Sequence, residues 1–152
     1  MNQQAAQQYL RTKVLTATPE QLQMMLYDGA IRFSEQGKAA LERKDYEASY
    51  NALSRAQKII AELLCGLKHE LAPELCGRLA SLYNFVFRRL VEANINHDCK
   101  ALDEALQILR YQRETWAMLM DKLGKTRAGM AANRIDMPEP SEQMEREFRR
   151  TA

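Results

Sequence analysis

The chain has 152 residues with a formal net charge of +2; 46% of it is hydrophobic and 28% charged. That length suits one domain able to bury ~68–70% of its unfolded surface, and the composition excludes a disordered chain, a collagen and a disulfide scaffold. No apolar run approaches the ~18 residues of a membrane span, and the polar, Gln-rich stretch from Met1 to Lys13 lacks the apolar segment of an export signal, so no membrane insertion is expected.

Nineteen Leu and twenty Ala stand against three Val and six Ile. Helices favour Ala and Leu, strands favour β-branched residues. Prolines occur only at 19, 73, 138 and 140. The expected class is all-α. A charge of +2 argues neither for nor against nucleic acid, and none is expected as a partner. Cys65, Cys76 and Cys99 form an odd set without a C-x-x-C, which reads as reduced thiols in a cytoplasmic protein.

Residues 1–17 are polar with Tyr9, Leu10, Val14 and Leu15 as apolar exceptions, and suit a short helix or an extended arm. Thr18-Pro19-Glu20-Gln21 is the strongest helix start in the chain: Thr18 is an N-cap, Pro19 takes the first helical position, and Gln21 completes a capping box. The spacing of Leu22, Met25, Leu26, Ala30, Phe33, Ala40 and Leu41 carries that helix over 19–44. Gly29 and Gly37 lie on one side of it. Each costs ~1 kcal/mol against Ala, which points to the close approach of another helix.

Asp45 caps a second helix over 46–67, with Tyr50, Leu53, Ala56, Ile60, Leu64 and Leu67 on its apolar face. Pro73 opens a third over 73–95, carrying Leu75, Leu79, Leu82, Val86, Leu90 and Ala93. Asp98 caps a fourth over 99–123, with Leu102, Ala105, Leu106, Leu109, Trp116, Leu119 and Leu123. The periodicity fades beyond Gly124, so residues 1–124 are expected to form the bundle domain and 125–152 a mostly disordered tail, with a short helix from Ser141 to Arg150. Four long helices with short links imply an antiparallel four-helix bundle with a short N-terminal arm.

Signals for catalysis or metal binding are weak. There is no Glu-x-x-His pair and no Gly-rich phosphate loop, so no cofactor and no metal are expected, and the chain does not read as an enzyme. His97-Asp98-Cys99 is not a nucleophile pair, because neighbouring side chains at a helix end diverge. Arg146, Arg149 and Arg150 are interleaved with Glu142, Glu145 and Glu147 and read as a solvated face.

The anomaly is surplus apolar surface. On the first long helix Leu22, Leu26, Ala30 and Phe33 share one arc, while Met24, Tyr27 and Ile31 share another, roughly opposite. On the third, Ala80, Phe87 and Val91 fall opposite Leu82 and Val86. A bundle helix needs one stripe. The second is expected to meet the N-terminal arm, the tail, a second copy of the chain as a homodimer, or a client segment docking as an amphipathic helix. Met24, Tyr27, Ile31, Phe87 and Val91 are the expected partner-binding positions. Trp116 and Tyr83 belong on core faces. Arg88 and Arg89 either grip client carboxylates or pair internally with Glu92 or Asp28.

The stretch YLRTKVLTATPEQLQMMLYDGAIRF, from Tyr9 to Phe33, closely resembles the N-terminal signature of the flagellar secretion chaperone family, FliS. AQKIIAEL (Ala56–Leu63), LYNFVFRRLVEAN (Leu82–Asn94) and RETW (Arg113–Trp116) extend the resemblance, in order and correctly spaced, over residues 9–123. It implies a bacterial cytosolic helical bundle that binds the disordered C-terminal segment of flagellin, blocks premature filament assembly and delivers the subunit to the flagellar type III export gate. It also implies that an N-terminal arm, here Tyr9, Leu10, Val14 and Leu15, can cover part of the groove when no client is bound.

Overall fold

The structure, a computed structural model, describes residues 2–135 together with Arg149 and Arg150. It is all-α, with α1 over Asn2–Thr16, α2 over Pro19–Glu42, α3 over Tyr46–Cys65, α4 over Pro73–Asn96 and α5 over Cys99–Ile135. The chain divides into two compact units, Met1–Ala117 and Met118–Ala152.

The ends of the helices are set by the residues that the sequence singles out. The Thr18 hydroxyl accepts from Gln21 N at 3.1 Å while Thr18 N donates to Gln21 Oε1 at 3.0 Å, a complete capping box with Pro19 behind it. At the other end of α2, Lys44 N donates to Leu41 O and Asp45 N to Ala40 O, which closes the helix with Lys44 left-handed at φ 60°. Asp45 then starts α3, its carboxylate accepting from Ala48 N at 3.2 Å. One residue thus ends a helix and begins the next, and a link this short forces α2 and α3 to run antiparallel. The α4–α5 link is shorter still: His97 is left-handed at φ 55°, and Asp98 Oδ1 accepts from Lys100 N and Ala101 N.

Within the first unit, the cross-helix contacts fix the topology. Gly37 meets Leu53 and Gly29 meets Ile59, pairing α2 with α3 head to tail. Asn94 reaches Gln57 from α4 to α3. Arg89 of α4 bonds Glu104 of α5 at 2.6 Å. Asp28, Glu35 and Lys38 of α2 pair with Arg113, Arg110 and Asp103 of α5, again in opposite order. The helices therefore ring the core in the sequence α2, α3, α4, α5. Leu53, Ile60, Val86, Leu90, Leu102, Leu106 and Leu109 fill the centre with essentially no exposure. Each such side chain contributes roughly 1.5–3 kcal/mol by leaving water.

Three expectations are corrected. Tyr50 and Leu75, read as buried, are exposed. The last helix does not stop at 123: α5 continues through Gly124 and Gly129 to Ile135. Its side chains from Asp121 to Asn133 are all exposed, which accounts for the missing periodicity, since a helix that buries nothing needs no stripe. Residues 125–135 are thus helical rather than part of a disordered tail. The rest of the expected tail, and the helix expected from Ser141, lie outside the described residues apart from Arg149 and Arg150, which are helical.

Candidate client-binding seams

Met24, Asp28, Ile31, Glu35 and Lys38 fall on one stripe of α2, spaced by four and three residues. Three of these five pair with α5, so the stripe looks onto the α2–α5 seam. Met24 and Ile31 sit half-buried in that row, Ile31 packed against the core.

On α4 the corresponding stripe is Phe87, Val91 and Asn94. Asn94 Nδ2 donates to Gln57 Oε1 at 3.0 Å and to Ser54 Oγ at 3.5 Å, so this stripe looks onto α3. Phe87 and Val91 are half-buried there. Ser54 and Gln57 share their α3 stripe with Tyr46 and Tyr50, both exposed. Tyr46 stacks on His97 with ring centroids 4.0 Å apart. The α3–α4 seam therefore ends in an exposed aromatic group above two half-buried apolar side chains. Sequence reading missed this group because it placed Tyr50 in the core; the Tyr46–Tyr50 spacing of four residues was the available signal.

The five expected partner-binding positions do not line one groove. Tyr27 is 2% exposed and belongs to the core. Its hydroxyl is hydrogen-bonded to that of Tyr83 across the centre of the bundle, and Gln23 Nε2 donates to it at 3.3 Å. The remaining four divide between α2–α5 and α3–α4, which are opposite edges of the ring. The physical reason is that a helix in a four-membered ring touches two neighbours and faces a third, so its buried arc is wider than one stripe. The second stripe of α2 reaches α5, and that of α4 reaches α3.

The tyrosine pair has an electrostatic consequence. Burial, reinforced by the Tyr27 hydroxyl, pushes the Tyr83 phenol well above its ordinary value, keeping it neutral. Tyr83 is thus core, as expected. Trp116 is half-buried and packed against the core, with Nε1 donating to Glu20 O at 3.0 Å.

Of the two adjacent arginines, Arg89 is committed internally. It bonds Glu92 and Glu104, each at 2.6 Å, and lies 5.5 Å from the Phe85 ring centroid. Asp28 is taken by Arg113. The N-terminal helix buries no residue, and Tyr9, Leu10, Val14 and Leu15 are all exposed, so α1 does not cap either seam in this structure.

Among the described residues no cluster of His, Cys, Asp or Glu could hold a metal ion, the three cysteines are unpaired, and no helix is long and apolar enough to cross a membrane.

Residues 1–123 match the family model of the flagellar protein FliS. The chain is 35% identical over 121 residues to the flagellar secretion chaperone FliS of Bacillus subtilis, covering 80% of this chain and 90% of that one. Against the Salmonella typhimurium flagellar secretion chaperone FliS it is 36% identical over 118 residues, 77% of this chain and 87% of the relative. A crystal structure of a bacterial flagellar chaperone shares the fold, with a TM-score of 0.65 at 18% identity, over 80% of this chain and 99% of that one. These relatives are named as chaperones, which are not enzymes, and two long curated relatives with a matching family model leave one assignment: the chain belongs to the FliS family of flagellar secretion chaperones.

Proposed function

We propose that this chaperone binds the disordered C-terminal segment of flagellin in the bacterial cytosol, prevents its premature polymerisation, and delivers it to components of the flagellar type III export gate. The observation that carries the client site is the pair of half-buried apolar seams on opposite edges of the bundle. A flagellin segment that touches both must wrap the chaperone, docking as amphipathic helices on Phe87, Val91, Tyr46 and Tyr50 on one side and on Met24 and Ile31 on the other. Each docked stretch removes apolar area from water at ~25 cal/mol per Å², and ordering the segment returns ~2–5 kcal/mol of that. No bond is made or broken. Tyr9, Leu10, Val14 and Leu15 of α1, exposed in this structure, supply a tethered apolar segment that can compete with the client for the same seams.

The test is co-purification with flagellin and with flagellin lacking its C-terminal segment. Full-length flagellin should be retained in a 1:1 complex and the truncated form lost. Val91→Asp and Ile31→Asp should each abolish retention while the helical circular dichroism signal survives. Wild-type retention by both variants would discard the seams as the client site, and a tight homodimer indifferent to flagellin would discard the function.

A further inference from the structure

Between the two client seams the ring has a further edge, α2–α3. Leu26, Gly29 and Phe33 fall on one stripe of α2; Gly29 meets Ile59 and Phe33 meets Arg55, so this stripe looks onto α3. Leu26, Phe33 and Ile59 are half-buried there and packed against the core. Arg32 Cζ stands 5.2 Å from the centroid of the Phe33 ring, and Arg55 Cζ stands 5.6 Å from it. Two exposed guanidiniums from neighbouring helices thus share one aromatic ring. A guanidinium held over a ring keeps its N–H edge for a carboxylate.

Neither arginine is neutralised from within. The carboxylates in helical reach of Arg32 are Asp28, four residues before it, and Glu35, three after, and both are bound by α5, through Arg113 and Arg110. The positions three and four residues from Arg55 are Asn51, Ala52, Lys58 and Ile59; none is acidic, and Lys58 adds a positive charge. The nearest acid along α3, Glu62, is two turns away from Arg55. Among the described residues no carboxylate pairs with Arg32 or Arg55, whereas Arg89, Arg110 and Arg113 each hold one. Like charges set side by side repel, and an anionic guest relieves that repulsion. We infer that the α2–α3 edge docks an acidic amphipathic segment of a partner protein, its apolar side chains on Leu26, Phe33 and Ile59 and its carboxylates on Arg32 and Arg55. The apolar floor selects a peptide, because a free anion would engage the guanidiniums and leave the floor in water. The edge is separate from both client seams, so this partner and a client can be held together.

Two synthetic peptides test this on the full chain. One is an amphipathic helix of about 16 residues with leucines at every third or fourth position and glutamates beside them; the other carries glutamine in place of every glutamate. In an amide NMR titration the glutamate peptide should shift resonances along the α2–α3 edge and bind at least about tenfold more tightly than the glutamine peptide. The double variant Arg32→Gln, Arg55→Gln should bind the glutamate peptide about tenfold more weakly, with an unchanged helical circular dichroism signal. It should also retain flagellin as the parent does. Equal binding of the two peptides, shifts centred on the α2–α5 or α3–α4 seam, or undiminished binding by the double variant would each overturn the inference. So would displacement of the peptide by an equal concentration of inorganic phosphate, which would assign the arginines to a free anion. Loss of flagellin by the double variant, where the parent retains it, would assign the edge to the client and overturn a separate partner.

Discussion

A Cβ atom placed on Gly37 would stand 2.6 Å from Cδ2 of Leu53, closer than real side chains approach. Leu53 is fully buried and cannot swing aside without displacing the core. Gly37 is therefore what allows α2 and α3 to pack at their observed separation. Replacing it with Ala gains ~1 kcal/mol of helix propensity but overpacks the core at a cost of ~1–3 kcal/mol. Gly37→Ala should lower the thermal midpoint by a few degrees. At Gly29 the nearest atom is Cδ1 of Ile59 at 3.1 Å, the end of a half-exposed side chain that can give way. Gly29→Ala should instead hold or raise the midpoint. Thermal denaturation of both variants checks the contrast, and equal effects of the same sign would refute it.

The Ser34 side chain is fully buried on α2, and among the described residues its hydroxyl has no partner. A buried polar group without a hydrogen bond costs ~1–3 kcal/mol, and Ala is the better helix former. Ser34→Ala should stabilise the fold by about 1 kcal/mol in urea titration, with an unchanged denaturant slope.

Tyr83 links stability to alkaline pH. Its phenol is held above the ordinary value by burial and by Tyr27. The unfolded chain ionises this group near pH ~10, so the stability that the neutral phenol contributes is complete below that pH and drains away as pH rises above it. Alkaline titration followed by tyrosinate absorbance should show a late phase, above the ordinary phenol range, that belongs to Tyr83. Tyr83→Phe should remove the latest-ionising phase and flatten the fall of stability above pH ~10. An unaltered alkaline profile in that variant would contradict the assignment.

Deleting residues 1–17 separates a structural from a regulatory role for α1. Because α1 buries nothing, the deletion should leave the thermal midpoint within about 1 °C of the parent, in line with surface changes worth less than ~0.5 kcal/mol. If its exposed Tyr9, Leu10, Val14 and Leu15 compete for the seams, flagellin should bind the shortened chain more tightly, by the reciprocal of the fraction of open molecules. Calorimetric titration with the flagellin C-terminal peptide measures it, and weaker binding would mark α1 as a client contact instead.

Much of the fold is legible in the sequence because helix ends are local. Thr18, Pro19, Asp45, Pro73 and Asp98 act on atoms within a turn of themselves, and each stands where its chemistry requires. The family assignment was legible for the same reason, carried by the contiguous stretch from Tyr9 to Phe33. The extent of α5 was not, because residues past Gly124 form a helix without burying a face, and hydrophobic period is the signal by which a helix is read.

What the sequence determined by itself, then, is the set of long helices, their caps, their antiparallel order and the family. Tertiary structure alone decided which flank of each helix faces which neighbour. A helical wheel gives a side chain's angle about its own axis, but burial depends on how many other axes surround it. That is why Tyr27, which the wheel sets away from the core, lies at its centre against Tyr83, while Ile31 one turn further on lines a seam shared with α5.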